Sequence, residues 1–199
     1  MMRKVGKLHG AGEIGSRMSH AKASPAPGKG RSVRFGLTAV GVFVIGLVMA
    51  LTSCADGATT TLYGREGRYT VEATDGWSVC EPLNRAADGS MKNESERRYM
   101  IVLCESKSDF EEGIELDKYS SLVSEAFAGR YAAEQHESDD GAMVFSCTVD
   151  SVKVSYYIKT FEDEKTFYQL VFWTNASSFE KSLKDFRQIC RSFRLLNET

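Results

Sequence analysis

The sequence predicts an α+β domain: an antiparallel β-sheet of about six strands with two main helices packed on it, preceded by an N-terminal apolar signal helix. Three observations predict it. Residues 35–53 carry no charge. From Tyr69 onward, short runs rich in β-branched and aromatic residues alternate with turn residues at a period of two. The period then changes to a helical one twice, over 116–131 and over 179–193. Strand runs broken by only two helices point to an antiparallel sheet carrying its helices on its faces.

Charge divides the chain before any element is considered. The formal net charge of the 199 residues is −2. Eight basic residues and one acid, Glu13, precede Cys54, making the leader about +7. The remainder holds 17 basic and 26 acidic residues, about −9. About 145 residues follow the break, enough for one domain with its own core. An acidic domain excludes nucleic-acid binding, which needs a basic face to displace counterions.

Residues 1–34 read as a basic, disordered n-region, with Ser24-Pro25-Ala26-Pro27-Gly28-Lys29-Gly30 offering no apolar periodicity. Met1, Met2 and Met18 are all candidate starts. Residues 35–53, FGLTAVGVFVIGLVMALTS, form the hydrophobic signal segment behind Arg31 and Arg34. Two readings of it stand. About 20 apolar residues span a bilayer, so the segment can be a retained helix with its basic flank inside. Its most apolar part, Phe35 to Ala50, is short for that purpose.

The second reading comes from Leu51-Thr52-Ser53-Cys54, which resembles the lipobox of bacterial lipoproteins. The resemblance implies signal cleavage between Ser53 and Cys54 and a lipid on the Cys54 thiol. It places the protein on the bacterial cell membrane, lipid-anchored, with its domain on the extracytoplasmic side. Acyl chains contribute roughly 0.8 kcal/mol per buried CH₂, so two or three hold firmly. On either reading the membrane is a partner, through the lipid or through helix 35–53.

Residues 54–68 then form the lipidated cysteine and a flexible tether, small, polar and Gly-rich. The domain proper spans 69–196. Tyr69–Ala73 alternates as a strand and ends at the Asp75-Gly76 turn. Trp77–Cys80 is a short strand stopped by Pro82. Residues 85–96 are polar and turn-like. Arg98–Glu105 is a long apolar run, as expected of a central strand. Leu116, Tyr119, Leu122, Val123, Ala126, Phe127 and Tyr131 fall at the spacing of an amphipathic helix, with Asp117 in the first turn, where the dipole favours an acid.

Three more strands follow, Ala142–Val149, Val152–Phe161 and Phe167–Trp173, joined by turns at Asp150-Ser151 and Glu162–Lys165. Ser177 or Ser178 caps the last helix. Phe179, Leu183, Phe186, Ile189, Cys190 and Phe193 make its apolar stripe.

The run Tyr69-Thr-Val-Glu-Ala-Thr-Asp-Gly-Trp77, the helix LDKYSSLVSEAF, the Tyr156-Tyr157 strand, the Lys165–Trp173 strand and the helix FEKSLKDFRQICRSF together resemble the PsbP/Mog1-like fold. The likeness covers about 69–195. Thr74 stands where that family usually has a proline before the Gly-Trp turn. The resemblance implies a binding or assembly scaffold rather than an enzyme, and leaves its protein or small-molecule partner open.

The residues themselves offer little catalysis. His136 is the one histidine after Cys54, in the acidic stretch Glu134–Asp140, so His-based metal or triad chemistry lacks its second member. Glu111-Glu112, Asp139-Asp140 and Glu162-Asp163-Glu164 lack the spacing of a calcium loop and read as solvated turns. No metal or other cofactor is therefore expected.

Cys80, Cys104, Cys147 and Cys190 form an even set in an exported domain, which favours disulfides among three alternative pairings. Seven aromatics crowd the last two strands, Tyr156, Tyr157, Phe161, Phe167, Tyr168, Phe172 and Trp173. One face of those strands meets a helix; an open second face would be a docking patch, and a closed one simply cross-strand packing. A membrane-anchored hydrolase or ligand-sensing domain is the alternative, and a deep pocket lined by two or more acids would favour it.

Overall fold

The computed structural model describes residues 58–196. The n-region 1–34, the segment 35–53, and Ser53 and Cys54 themselves lie outside the described residues.

The described chain runs β1 (Thr60–Tyr63), β2 (Tyr69–Ala73), β3 (Ser78–Val79), β4 (Gly89–Asn93), β5 (Arg98–Ser106), α1 (Leu116–Tyr131), β6 (Glu134–His136), β7 (Met143–Val149), β8 (Val152–Glu162), β9 (Thr166–Asn175), α2 (Phe179–Ser192) and β10 (Arg194–Leu195). Seven strands form one antiparallel sheet in the order β3-β4-β5-β9-β8-β7-β6, and three form a second, β1-β2-β10. The expected single sheet of about six strands is thus corrected to two sheets with ten strands among the described residues. Among those residues no helix is long and apolar enough to cross a membrane.

The centre of the large sheet is β9, whose residues are buried from Thr166 to Thr174. It lies between β5, registered Tyr99↔Trp173 through Ser106↔Thr166, and β8, registered Val154↔Asn175 through Glu162↔Phe167. A strand buried on both faces must be apolar on both, which is why TFYQLVFWTN lacks simple alternation.

Odd-numbered residues of β9 and β5, such as Ile101, Leu103, Phe167, Val171 and Trp173, pack with Tyr119, Val123 and Phe127 of α1. Even-numbered ones, Met100, Val102, Tyr168, Leu170 and Phe172, pack with Phe179, Phe186 and Ile189 of α2 and with Leu62, Tyr69 and Val71 of the small sheet. The molecule therefore has three layers, with a separate apolar core on each side of the sheet. All seven of the crowded aromatics are spent on these cores or packed against them, so neither sheet face is left open. Tyr119 stacks on Phe167 at 4.0 Å and Phe172 on Phe186 at 4.8 Å between ring centroids.

Three stretches differ from expectation. The tether reading of residues 54–68 ends early, because Thr60–Tyr63 pairs with β2, from Thr60↔Ala73 to Tyr63↔Thr70. Residues 85–96 contain β4, which pairs with β5 from Gly89↔Val102 to Asn93↔Arg98. Its sequence GSMKN has poor strand propensity, and the pairing overrides it. Gly89 is required there, since a Cβ would lie 2.9 Å from Leu62 and 3.1 Å from the Tyr69 hydroxyl. Finally, α2 starts from a 3₁₀ turn, Ala176–Ser178, and the Ser178 side chain makes no capping bond.

Turn chemistry follows the sequence. Asp150 and Ser151 both have positive φ, 48° and 67°, which matches the right-handed twist of β7 and β8. At the next hairpin Asp163 Oδ1 accepts from the backbone N–H groups of Lys165 and Thr166 at 2.8 and 2.7 Å.

Candidate functional site: a cationic cleft and an acidic groove

Two depressions among the described residues have polar linings. The first is a cleft of about 350 Å³ where the β1–β2 connection overhangs one end of the large sheet. Its floor is Cys104 on β5 and the opposed pair Ser106 and Thr166. Arg65, Arg68 and Asp88 supply one wall and Lys165, from the β8–β9 hairpin, the other.

Arg65 opens a 3₁₀ turn, Arg65–Gly67, in which Glu66 and Gly67 have φ of 61° and 68°. That reversal turns the chain back into β2 and brings Arg68 beside Asp88. The Asp88 side chain is only 7% exposed and its carboxylate is fully engaged. It accepts from the Arg65 backbone N–H at 3.0 Å, Arg68 Nη2 at 3.2 Å and the Tyr69 hydroxyl at 2.8 Å. The Arg65 guanidinium has one long contact, to the Ala87 carbonyl at 3.4 Å. Among the described residues no carboxylate pairs with Arg65 or Lys165. Burial, reinforced by the Asp88 charge, pushes the Cys104 thiol up to about 12, so it is a neutral group rather than a nucleophile.

The second depression is an open groove of about 530 Å³ between the β6–β7 loop and the start of α2. His136, Glu137, Asp139, Glu180, Leu183 and Arg187 line it over a floor that includes Val144 and Ser155. The Asp140 carboxylate holds the loop in place. It accepts from Ser138 Oγ at 2.6 Å, the Ala142 N–H at 3.1 Å, the Tyr157 hydroxyl at 2.7 Å and Arg187 Nε at 2.8 Å. Burial works against its charge, and these bonds outweigh burial, holding Asp140 well below the usual carboxylate range. Arg187 also pairs with Asp139.

His136 sits exposed on β6, with Nε2 2.7 Å from Ser146 Oγ on the neighbouring strand. Among the described residues no carboxylate is bonded to the other ring nitrogen. A third polar network, Tyr119 hydroxyl to Glu105 at 2.6 Å and Gln169 Nε2 to the Tyr119 oxygen at 2.7 Å, ties α1 to the sheet.

Cys80, Cys104, Cys147 and Cys190, the candidates for disulfides, are all unbonded in this structure. The sheet separates Cys147, on the α1 side, from Cys104 and Cys190, on the α2 side, and Cys80 follows the edge strand β3. Burial raises all four above the ordinary thiol value. Among the acidic clusters, Glu111 and Glu112 are exposed, Glu162 pairs with Lys107 at 2.8 Å, and Asp163 organises its hairpin. Among the described residues no three His, Cys, Asp or Glu side chains converge as a metal-binding set.

Sequence reasoning missed the cleft. Arg65 and Arg68 fall in the stretch read as tether, and only the basic residues bracketing Glu66-Gly67 hinted at more than a linker.

Layering and connectivity define an α+β sandwich, one seven-stranded antiparallel sheet between a helix on one side and a helix with a small sheet on the other. No family model matches the sequence, and no curated protein matches it. Among solved structures, the chain is similar to cyanobacterial PsbP (CyanoP) from Synechocystis sp. PCC 6803, at 11% identity and a TM-score of 0.46, covering 76% of this chain and 100% of that one. It is also similar to LpqN, involved in cell envelope biogenesis of Mycobacterium tuberculosis, at 10% identity and a TM-score of 0.44, covering 70% and 91%. A Bacteroides thetaiotaomicron VPI-5482 protein follows at 8% and 0.44, covering 71% of this chain and 49% of its own. Such scores and identities carry no inference about function.

Proposed function

We propose that the protein is a bacterial lipoprotein, cut between Ser53 and Cys54 and acylated on Cys54, whose extracytoplasmic domain is a non-catalytic binding or assembly module. The observation that carries the reading is Leu51-Thr52-Ser53-Cys54, placed between an uncharged run and an acidic domain.

Binding rather than turnover is supported by what the polar side chains already do. Asp88 and Asp140 are each held by several donors, and the thiols are kept protonated by burial. Mass spectrometry of the mature N-terminus tests the anchor. The expected result is a diacylated, cleaved chain beginning at Cys54; a purified protein with an unmodified Met1 or Met18 start refutes it.

A second reading, a membrane-anchored hydrolase or ligand-sensing domain, is favoured by the groove, which has Glu137, Asp139 and Glu180 on its walls and the His136–Ser146 contact beside it. Covalent labelling of Ser146 by a fluorophosphonate would bring that reading forward.

A further inference from the structure

The geometry points to the cleft between the β1–β2 connection and the β8–β9 hairpin as a binding site for a phosphate group, held by Arg65, Arg68 and Lys165. This deepens the binding-module reading and rests on it, but it does not depend on how the chain is anchored.

Charge arrangement is the first argument. The part of the chain after Cys54 is strongly acidic, yet three cations line this one cleft against a single carboxylate, Asp88. That carboxylate is already occupied by Arg68, the Tyr69 hydroxyl and the Arg65 backbone. It fixes Arg68, which also lies 3.9 Å from Glu66, together with the turn, and among the described residues Arg65 and Lys165 are left without an ion pair of their own. A concave surface dominated by one sign of charge focuses its field on the ligand.

Donor geometry is the second. Arg65 has both a nearly unused guanidinium fork and a place on a short turn fixed by its own backbone bond to Asp88. A planar fork matches the oxygens of a phosphate two at a time, and a lysine opposite adds a point charge. Ser106 and Thr166 line the floor, with the Ser106 hydroxyl held by the Ser108 N–H and hydroxyl. The backbone beneath is rigid, since the Lys107 N–H donates to the Lys165 carbonyl at 2.8 Å and so closes the end of the β5–β9 ladder.

Size is the third. A volume of about 350 Å³ falls at the small end of the roughly 300–1,000 Å³ typical of small-molecule sites. It admits a phosphate with a small substituent and leaves no room for an extended polymer. Cys104 contributes a neutral, inert wall, which fits retention of a ligand rather than its transformation.

A phosphate can arrive on a soluble metabolite or on a lipid headgroup, and the test separates the two. The full chain is placed in phosphatidylcholine nanodiscs and, separately, in phosphatidylglycerol nanodiscs, and titrated with inorganic phosphate by calorimetry. Saturable binding in phosphatidylcholine discs is expected. R65Q/K165Q should weaken it by at least about tenfold, in line with the loss of charge-assisted contacts. K153Q, a charge removal on an exposed part of β8, should leave it unchanged. Unaltered affinity in phosphatidylglycerol discs identifies a soluble phosphate as the ligand; weakened affinity there identifies the headgroup, which competes. The proposal is overturned if phosphate does not saturate in phosphatidylcholine discs, if R65Q/K165Q binds as well as the parent, or if K153Q loses binding equally. Arg65 and Lys165 make no ion pair among the described residues, so their replacement leaves the fold intact. Both anchor readings place the chain in the disc, so a negative result bears on the cleft alone.

Discussion

Asp140→Ala is expected to cost the domain about 3 kcal/mol, and about half of that cost should vanish when Tyr157 is already changed. Tyr157 is 1% exposed, and its hydroxyl donates to Asp140 at 2.7 Å. Without the carboxylate that hydroxyl is buried and unpaired, a penalty of about 1–3 kcal/mol. The Ala142 N–H loses its acceptor, adding about 1 kcal/mol, and the partly exposed Arg187 pair adds between about 0 and 1 kcal/mol. Tyr157→Phe alone should cost only about 1 kcal/mol, because Asp140 keeps three other donors. The double variant should therefore be more stable than the sum of the singles predicts, by about 1–2 kcal/mol. Urea unfolding read by the fluorescence of the buried Trp77 and Trp173 measures all four corners of the cycle. A cost for Asp140→Ala below about 1 kcal/mol, or singles that simply add, refutes the view that this carboxylate pins loop to sheet through the tyrosine.

Acid sensitivity should follow from Asp140 and Asp163, both held below the usual carboxylate range by hydrogen bonds that outweigh the opposing effect of burial. Their folded values lie under the unfolded one, near about 3.9, so the stability they supply is complete above that value and lost as pH falls through the lower folded values. The urea midpoint should be level between about pH 7 and 5 and drop below about pH 4, with a shallower drop in Asp140→Ala; an unchanged drop in that variant would contradict the assignment. The thiols offer a separate check. All four should react slowly with a disulfide reagent in the folded protein and quickly in urea, and dithiothreitol should leave the unfolding midpoint where it was. A bridge typically contributes about 2–4 kcal/mol, so a large destabilisation by reductant would contradict the free arrangement.

Elements whose signal is local could be read from the sequence. The spacing of Leu116, Tyr119, Val123 and Phe127 places α1 at Leu116–Tyr131, and Tyr69–Ala73 alternates as the strand it forms. The three-strand meander β7-β8-β9 is equally visible, because its turns carry Asp150-Ser151 and Asp163. What could not be read depends on partners distant in sequence. GSMKN becomes β4 only beside β5, and TTLY becomes β1 only beside β2, with Leu62 reaching the core under the sheet. The cleft was illegible for the same reason: Arg65, Asp88, Ser106 and Lys165 come from four segments, and no spacing rule links them. The positions of the cysteines were equally illegible, because an even count says nothing about which face of a sheet each one occupies.

The margins of the large sheet have a consequence for a protein confined to a surface. One margin is β3, with two residues, and the other is β6, with three. Proteins tethered to a plane meet one another sideways far more often than in bulk solution, and an exposed strand edge invites them to zip together. Here a neighbour would find only a few unpaired backbone groups on either side before the chain turns away. The long aromatic strands β8 and β9 sit inside those margins, paired along their length. The sheet is thus terminated before it can serve as a template, which sets the domain against edge-to-edge self-association wherever its copies are crowded.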